Sequence, residues 1–212
     1  ATDCFSAENQ SSEACKSRFR EIRQYGGAFE SEYRHNKLLT FGLYSGFATG
    51  RKNFGFQLND GKVDPLDQPS NFKFDRDYHV DMILFREIIG SVTNATYIKP
   101  WVQFDFWTRN RDTFGFRFDA IYSLAHKAAA TPSGERDLGL EFDGLLFYRE
   151  HEKFQADLGY GLLLPGSAFD EKYGRTRLTY PGFIGSTFQE EDGPEREAQI
   201  AQTIQARMFW FF

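Results

Sequence analysis

The chain has 212 residues and a mass of 24.5 kDa, enough for one domain with a sizeable core. Its net charge of −5 and pI near 5.5 exclude the basic surface of a nucleic-acid binder. Mean hydropathy is −0.54 and no run of about 18 apolar residues occurs, so no transmembrane helix is expected, although strands of alternating hydropathy escape that test.

Residues 1–24 are polar, and Lys16, Ser17 and Arg18 interrupt any alternation, so the segment reads as loop or short helix. Ala1-Thr2-Asp3 fits a mature terminus left by cleavage of a leader. Cys4 and Cys15 are the only cysteines. They offer too few ligands for zinc, and neither stands at the first position, where a lipoprotein anchor would need it. In an oxidising compartment they are expected to form a disulfide closing a short loop.

Residues 25–212 read as strands. The 17% aromatic share, with 24 Phe and 10 Tyr against two Met, favours them. From Gly27 to Ala48 the odd positions include Phe29, Tyr33, Leu39, Phe41, Leu43 and Phe47, either as one long strand or as a hairpin turning at His35-Asn36. The stretch 49–71 is rich in Gly, Asp, Asn and Pro and reads as a long loop. Asn59 and Asp60 within it hint at a calcium loop but lack the EF-hand pattern.

A third strand is expected over 72–86, with Tyr78, Val80, Met82 and Leu84 on one face and His79 and Asp81 on the other. A turn or single helical turn follows over 86–94. The next strand, 95–107, sets Ile98, Pro100, Val102, Phe104 and Phe106 against Tyr97, Lys99, Trp101, Gln103, Asp105 and Trp107. After a polar turn at 108–112, the strand 113–125 turns Phe114, Phe116, Phe118, Ala120, Tyr122 and Leu124 outward and Arg117, Asp119 and Ser123 inward. Beyond the small-residue loop 126–136, Leu138, Leu140, Phe142, Leu146 and Tyr148 oppose Glu141, Asp143 and Arg149. A turn at 149–153 leads to 154–163, where Phe154, Ala156, Leu158, Tyr160 and Leu162 oppose Gln155, Asp157 and two glycines.

A long loop, 164–196, precedes the last strand. Counting back in twos, Phe212, Trp210, Met208, Ala206, Ile204, Gln202, Ile200 and Ala198 form one almost wholly apolar register, while the other turns polar after Phe211 and Phe209, with Arg207, Gln205 and Thr203. Termini of soluble proteins are usually exposed and frayed, so a bare aromatic ending is unusual there, whereas a strand ending at a lipid interface gathers aromatics. The ending Ile204…Met208…Trp210…Phe212 resembles the carboxyl-terminal assembly signal of Gram-negative outer-membrane β-barrels. The competing reading is a soluble β-sandwich or lipocalin-like barrel, which also alternates.

Charges on the other face, Lys99, Asp105, Arg117, Asp119, Glu141, Asp143, Asp157 and Arg207, would be costly in a dry core but are tolerable in a lumen through water or mutual pairing. Eight strands leave an interior just filled by side chains, so these charges are expected to interlock as a structural network rather than line a conduit. Catalytic signals are weak. His79 with Asp81, Ser123 with His126, and the pair Glu141 and Asp143 are of a spacing that chance supplies often. No metal-ligand spacing and no Gly-rich phosphate loop occurs.

Short turns are expected at the periplasmic end and long loops outside. The last four strands obey this, but the long 49–71 segment falls on the wrong side. Either the strand count is off by one, a short helix replaces a turn near 85–93, or the chain is not a whole barrel.

The run from Phe72 to Gly90 (FKFDRDYHVDMILFREIIG), with Val92-Thr93-Asn94-Ala95 and Tyr97 to Pro100, resembles uncharacterised outer-membrane barrel proteins of myxobacteria and related predatory bacteria. Leu138-Gly139-Leu140-Glu141-Phe142-Asp143 and Tyr160-Gly161-Leu162-Leu163-Leu164-Pro165 are similar to that family too, and the resemblance covers roughly residues 40–212. It implies a longer barrel of which this chain is the carboxyl-terminal part, and kinship with porin-like or scaffolding members of envelope machines, gliding apparatus included. It brings no catalytic residues.

The expectation is therefore an all-β antiparallel transmembrane barrel, about eight strands from this chain, in the outer membrane of a Gram-negative bacterium. Its expected role is non-enzymatic, as a porin-like or structural component of an envelope assembly. A lipid-modifying hydrolase or acyltransferase and a diffusion pore for small solutes are the alternatives. The implied partners are outer-membrane lipid and lipopolysaccharide, the barrel-assembly machinery during insertion, and other envelope proteins. No nucleic acid, cofactor or metal is expected.

Overall fold

In the computed structural model of the chain, residues 23–50, 71–109, 112–150, 153–170 and 197–211 are described. They form one antiparallel sheet of seven strands in strict chain order: β1 (Gly26–Arg34), β2 (Leu39–Ala48), β3 (Ala95–Arg109), β4 (Asp112–Ala125), β5 (Asp137–Glu150), β6 (Phe154–Pro165) and β7 (Ala201–Trp210). The all-β antiparallel reading holds. Among the described residues no ladder joins β1 to β7, so the sheet is open. The Cys4–Cys15 pair, the Asn59-Asp60 loop and Phe212 lie outside the described residues.

The hairpin at His35-Asn36 is real. Asn36 closes it, its side-chain oxygen accepting the N–H groups of Leu38 and Leu39, both at 2.8 Å. The alternation read from sequence places outward and inward residues correctly along most of each strand, with two local exceptions. A bulge between Asp105 and Trp107 inserts Phe106, so Trp107 pairs with Phe114 on the outer face instead of following Asp105 inward. A second irregularity pairs Ser123 with Gly139 but Leu124 with Asp137, which turns Leu138 from the expected outer face into the core. Gly139 sits there at φ +107, where an added Cβ would collide with the Leu164 carbonyl oxygen.

The expected third strand does not exist. Residues 72–94 leave the sheet after β2 and fold back over its inner face, touching the ladder pattern only at the isolated Lys73–Thr93 bridge. A π-helical turn, Leu84–Ile88, closes through Ile88 N–H to Ile83 O at 3.0 Å. Removing this one strand restores the rule that had failed. The turns β1–β2, β3–β4 and β5–β6 are now all short and on one end, and the long connections are all on the other.

The segment fits because the wall is shaped for it. Val80, Ile83, Leu84, Phe85 and Val92 are buried against Ala48, Ala95, Tyr97, Ile121, Leu138 and Leu163. Each large side chain so buried contributes about 1.5–3 kcal/mol. On β6 an added Cβ at Gly161 would lie 3.1 Å from Met82 Cβ and 3.0 Å from Asp143 Oδ1, and one at Gly159 would lie 2.7 Å from Met82 Cε. The two inward glycines thus leave the hollow that Met82 enters.

Candidate functional site

A chain folded back over a sheet must satisfy its backbone without a ladder. Two neighbouring inward residues of β5 do this. Glu141, fully buried, accepts Ile83 N–H at 2.7 Å and Met82 N–H at 3.0 Å on one oxygen and Leu84 N–H at 2.9 Å on the other. Asp143 accepts Met82 N–H at 3.1 Å. Within the segment, Asp81 accepts the N–H groups of Phe85 and Arg86, with shortest distances of 2.9 and 3.1 Å. Burial, and then the neighbouring Glu141 charge, holds Asp81 above the usual carboxylate range, opposed by those backbone donors and by Lys99.

Lys99 on β3 joins this cluster to a second one. Its ammonium donates to the Val80 carbonyl oxygen and lies 3.2 Å from Asp119 Oδ2. Asp119 also accepts from Arg117 Nε at 2.8 Å. The Arg117 guanidinium carbon stands 4.0 Å from the centre of the Trp101 ring, with the Tyr44 ring 5.7 Å away. Towards the short turns Gln103 donates to Asp105 at 2.8 Å, Arg34 lies 3.6 Å from Asp105, and Gln155 donates to Asp157 at 2.8 Å.

Six of the eight charged residues expected to face inward fall into two groups of different character. Lys99, Asp105, Arg117 and Asp119 form ion pairs, whereas Glu141 and Asp143 bind backbone. Asp157 stands apart with Gln155. Arg207 is opposite Asp157 in register and exposed. Ile204, Met208 and Trp210 project outward from β7 with 74%, 64% and 61% of their surface exposed.

Of the weak catalytic pairs, Glu141 and Asp143 stand together but are engaged with backbone N–H groups, and the other two are not assembled. His79 is exposed while Asp81 is buried and engaged, because the strand that would have aligned them is absent. Ser123 is fully buried, and its hydroxyl has no hydrogen-bond partner among the described residues, the partly buried His126 included. Burial, Lys127 and Arg136 lower the affinity of His126 for a proton. Among the described residues, no three His, Cys, Asp or Glu could hold a metal ion.

No local pattern signals that the inward carboxylates serve backbone N–H groups, since the partners lie 57 to 61 residues apart. The one available clue was the misplaced long loop. What the assembled groups can do is hold a chain segment against a wall. Compared with protein-family models, curated proteins and solved structures, the chain matches none.

Proposed function

We propose that this chain is a membrane-spanning β-barrel component of a Gram-negative outer membrane, with a structural, non-enzymatic role in an envelope assembly. One observation carries the reading. The outward positions hold no Asp, Glu, Lys or Arg from Gly27 to Tyr33 on β1, Leu39 to Phe47 on β2, Thr96 to Phe106 on β3, Phe114 to Leu124 on β4, Leu140 to Tyr148 on β5, Phe154 to Leu164 on β6 and Gln202 to Trp210 on β7. The inward positions of the same strands carry Glu30, Lys99, Asp119, Glu141 and Asp157. Soluble proteins rarely leave so large an apolar face uncovered, and a lipid-facing strand needs one.

Aromatics gather on the outer face near the short-turn end. Trp107 pairs with Phe114, Phe114 with Tyr148, and the Phe154 and Trp210 rings are 5.1 Å apart. Such a row belongs at a lipid–water interface. The folded-back segment fills the interior near the long loops, which favours a scaffold over a diffusion pore. Kinship with the barrels of predatory bacteria is part of this proposal and rests on the sequence resemblance alone.

Gel migration of membrane-extracted protein with and without boiling tests the reading. A barrel runs differently until boiled. Extraction without detergent together with unchanged migration would overturn the proposal.

A further inference from the structure

We infer that the outer face of β4–β6 carries a seat for a single lipid acyl chain, centred on Gly144. The inference rests on the membrane reading above and adds a discrete binding position to it. In the cross-strand row Phe118–Gly144–Tyr160 the middle position has no side chain. The rows on either side are filled, by Phe116, Leu146 and Leu158 towards the short turns and by Phe142 and Leu162 towards the loops. The gap opens a groove of about 570 Å³ reaching to Ile204 on β7.

Two features select the occupant. Its lining is almost wholly apolar: the Tyr160 hydroxyl, the one side-chain polar group at its rim, already donates to Gln202 at 2.9 Å. A headgroup or a polar-rimmed protein partner finds nothing to bond. Position is the second. Gly144 is seven residues from Asp137 and six from Glu150 on β5, so it lies roughly 20 Å from either strand end at about 3.3 Å per residue. A groove at that depth, continuous with a charge-free face, meets hydrocarbon and not headgroups. The stacked Phe118 and Phe142 rings, 6.0 Å between centroids, give its side a flat wall along which methylenes can lie.

Native mass spectrometry of protein reconstituted in phosphatidylethanolamine–phosphatidylglycerol vesicles and released in mild detergent tests this, with the boiling gel run on the same samples. Gly144→Leu puts a side chain into the middle of the groove, and the position accepts one, since an added Cβ meets nothing nearer than the Phe116 ring, at 3.4 Å. Wild type is expected to retain one more phospholipid than Gly144→Leu while both shift on boiling. Equal retention with both shifting overturns the seat and leaves the membrane reading intact. A dimer mass present in wild type and lost in the variant assigns the groove to a second copy and also overturns the seat. No shift in wild type sinks both readings. If Gly144→Leu alone fails to shift, Gly144→Ala replaces it: reduced retention supports the seat, and unchanged retention overturns it.

Discussion

The two ends of the sheet's inner face are built on opposite principles. Near the long loops, Ala48, Ala95, Ile121, Leu138 and Leu163 meet Val80, Leu84 and Phe85, and the interior is a hydrophobic core. Near the short turns the same strands present polar pairs, Gln103 with Asp105, Arg117 with Asp119 and Gln155 with Asp157. The difference lies in who supplies the filling. At one end a returning chain segment does, and its unpaired backbone demands acceptors at the boundary. At the other the strands' own side chains reach across to one another. Glu141, Asp143 and Lys99 stand at the junction and serve the first end with charges of the kind that populate the second.

Breaking the junction should cost most. Glu141→Ala orphans the buried N–H groups of Ile83 and Leu84, Met82 keeping Asp143, at about 1–3 kcal/mol each, so a loss of roughly 2–6 kcal/mol is expected in denaturant unfolding of detergent-folded protein. Glu141→Gln keeps an accepting oxygen and should lose clearly less. Equal losses would mean that the carboxylate serves through its charge.

The contrast between faces should come next. Leu146→Arg, at mid-strand on the outer face, should cost about 2–4 kcal/mol in a bilayer, whereas Gln103→Arg, beside Asp105 on the inner face, should cost about 0.5 or less. Similar costs measured by unfolding in vesicles would remove the distinction between lipid and lumen. Gly161→Val should unseat Met82 for about 1–3 kcal/mol, seen as protease cleavage within residues 72–94 before global unfolding.

The smallest effect is titration of His126. Its folded value is lowered, so its contribution to stability is complete above the unfolded value near 6.5 and is lost as pH falls through the folded one. His126→Gln should flatten that part of the pH–stability profile and leave the rest unchanged.

Most of the sheet was legible in the sequence because its strands separate apolar from polar residues at period two. From Ile98 to Phe104, and from Phe116 to Tyr122, each residue lies where alternation puts it. Reading failed where tertiary contacts override the local pattern. Tyr78-Val80-Met82-Leu84 alternates as a strand does, yet Val80, Asp81, Ile83, Leu84 and Phe85 are all buried, since the segment packs inside the sheet instead of lining it. Trp107 and Leu138 were misplaced by one-residue irregularities that no local composition announces. The inward charges were found as a set, but their division into ion pairs and backbone acceptors depends on a fold-back that only the three-dimensional arrangement reveals.

The separation of 57 to 61 residues between segment 82–84 and its acceptors on β5 has a consequence for the order of assembly. The segment precedes β3 in the chain, but its seat needs β5 for the carboxylates and β6 for the hollow beneath Met82. Contacts so distant form late, after the loop closure they require. A chain exposed only as far as β4 has nowhere to put Ile83, Leu84 and Phe85. The docking of that segment therefore reports that the second half of the sheet has formed, and until then the most apolar turn of the connection must be kept from sticking elsewhere.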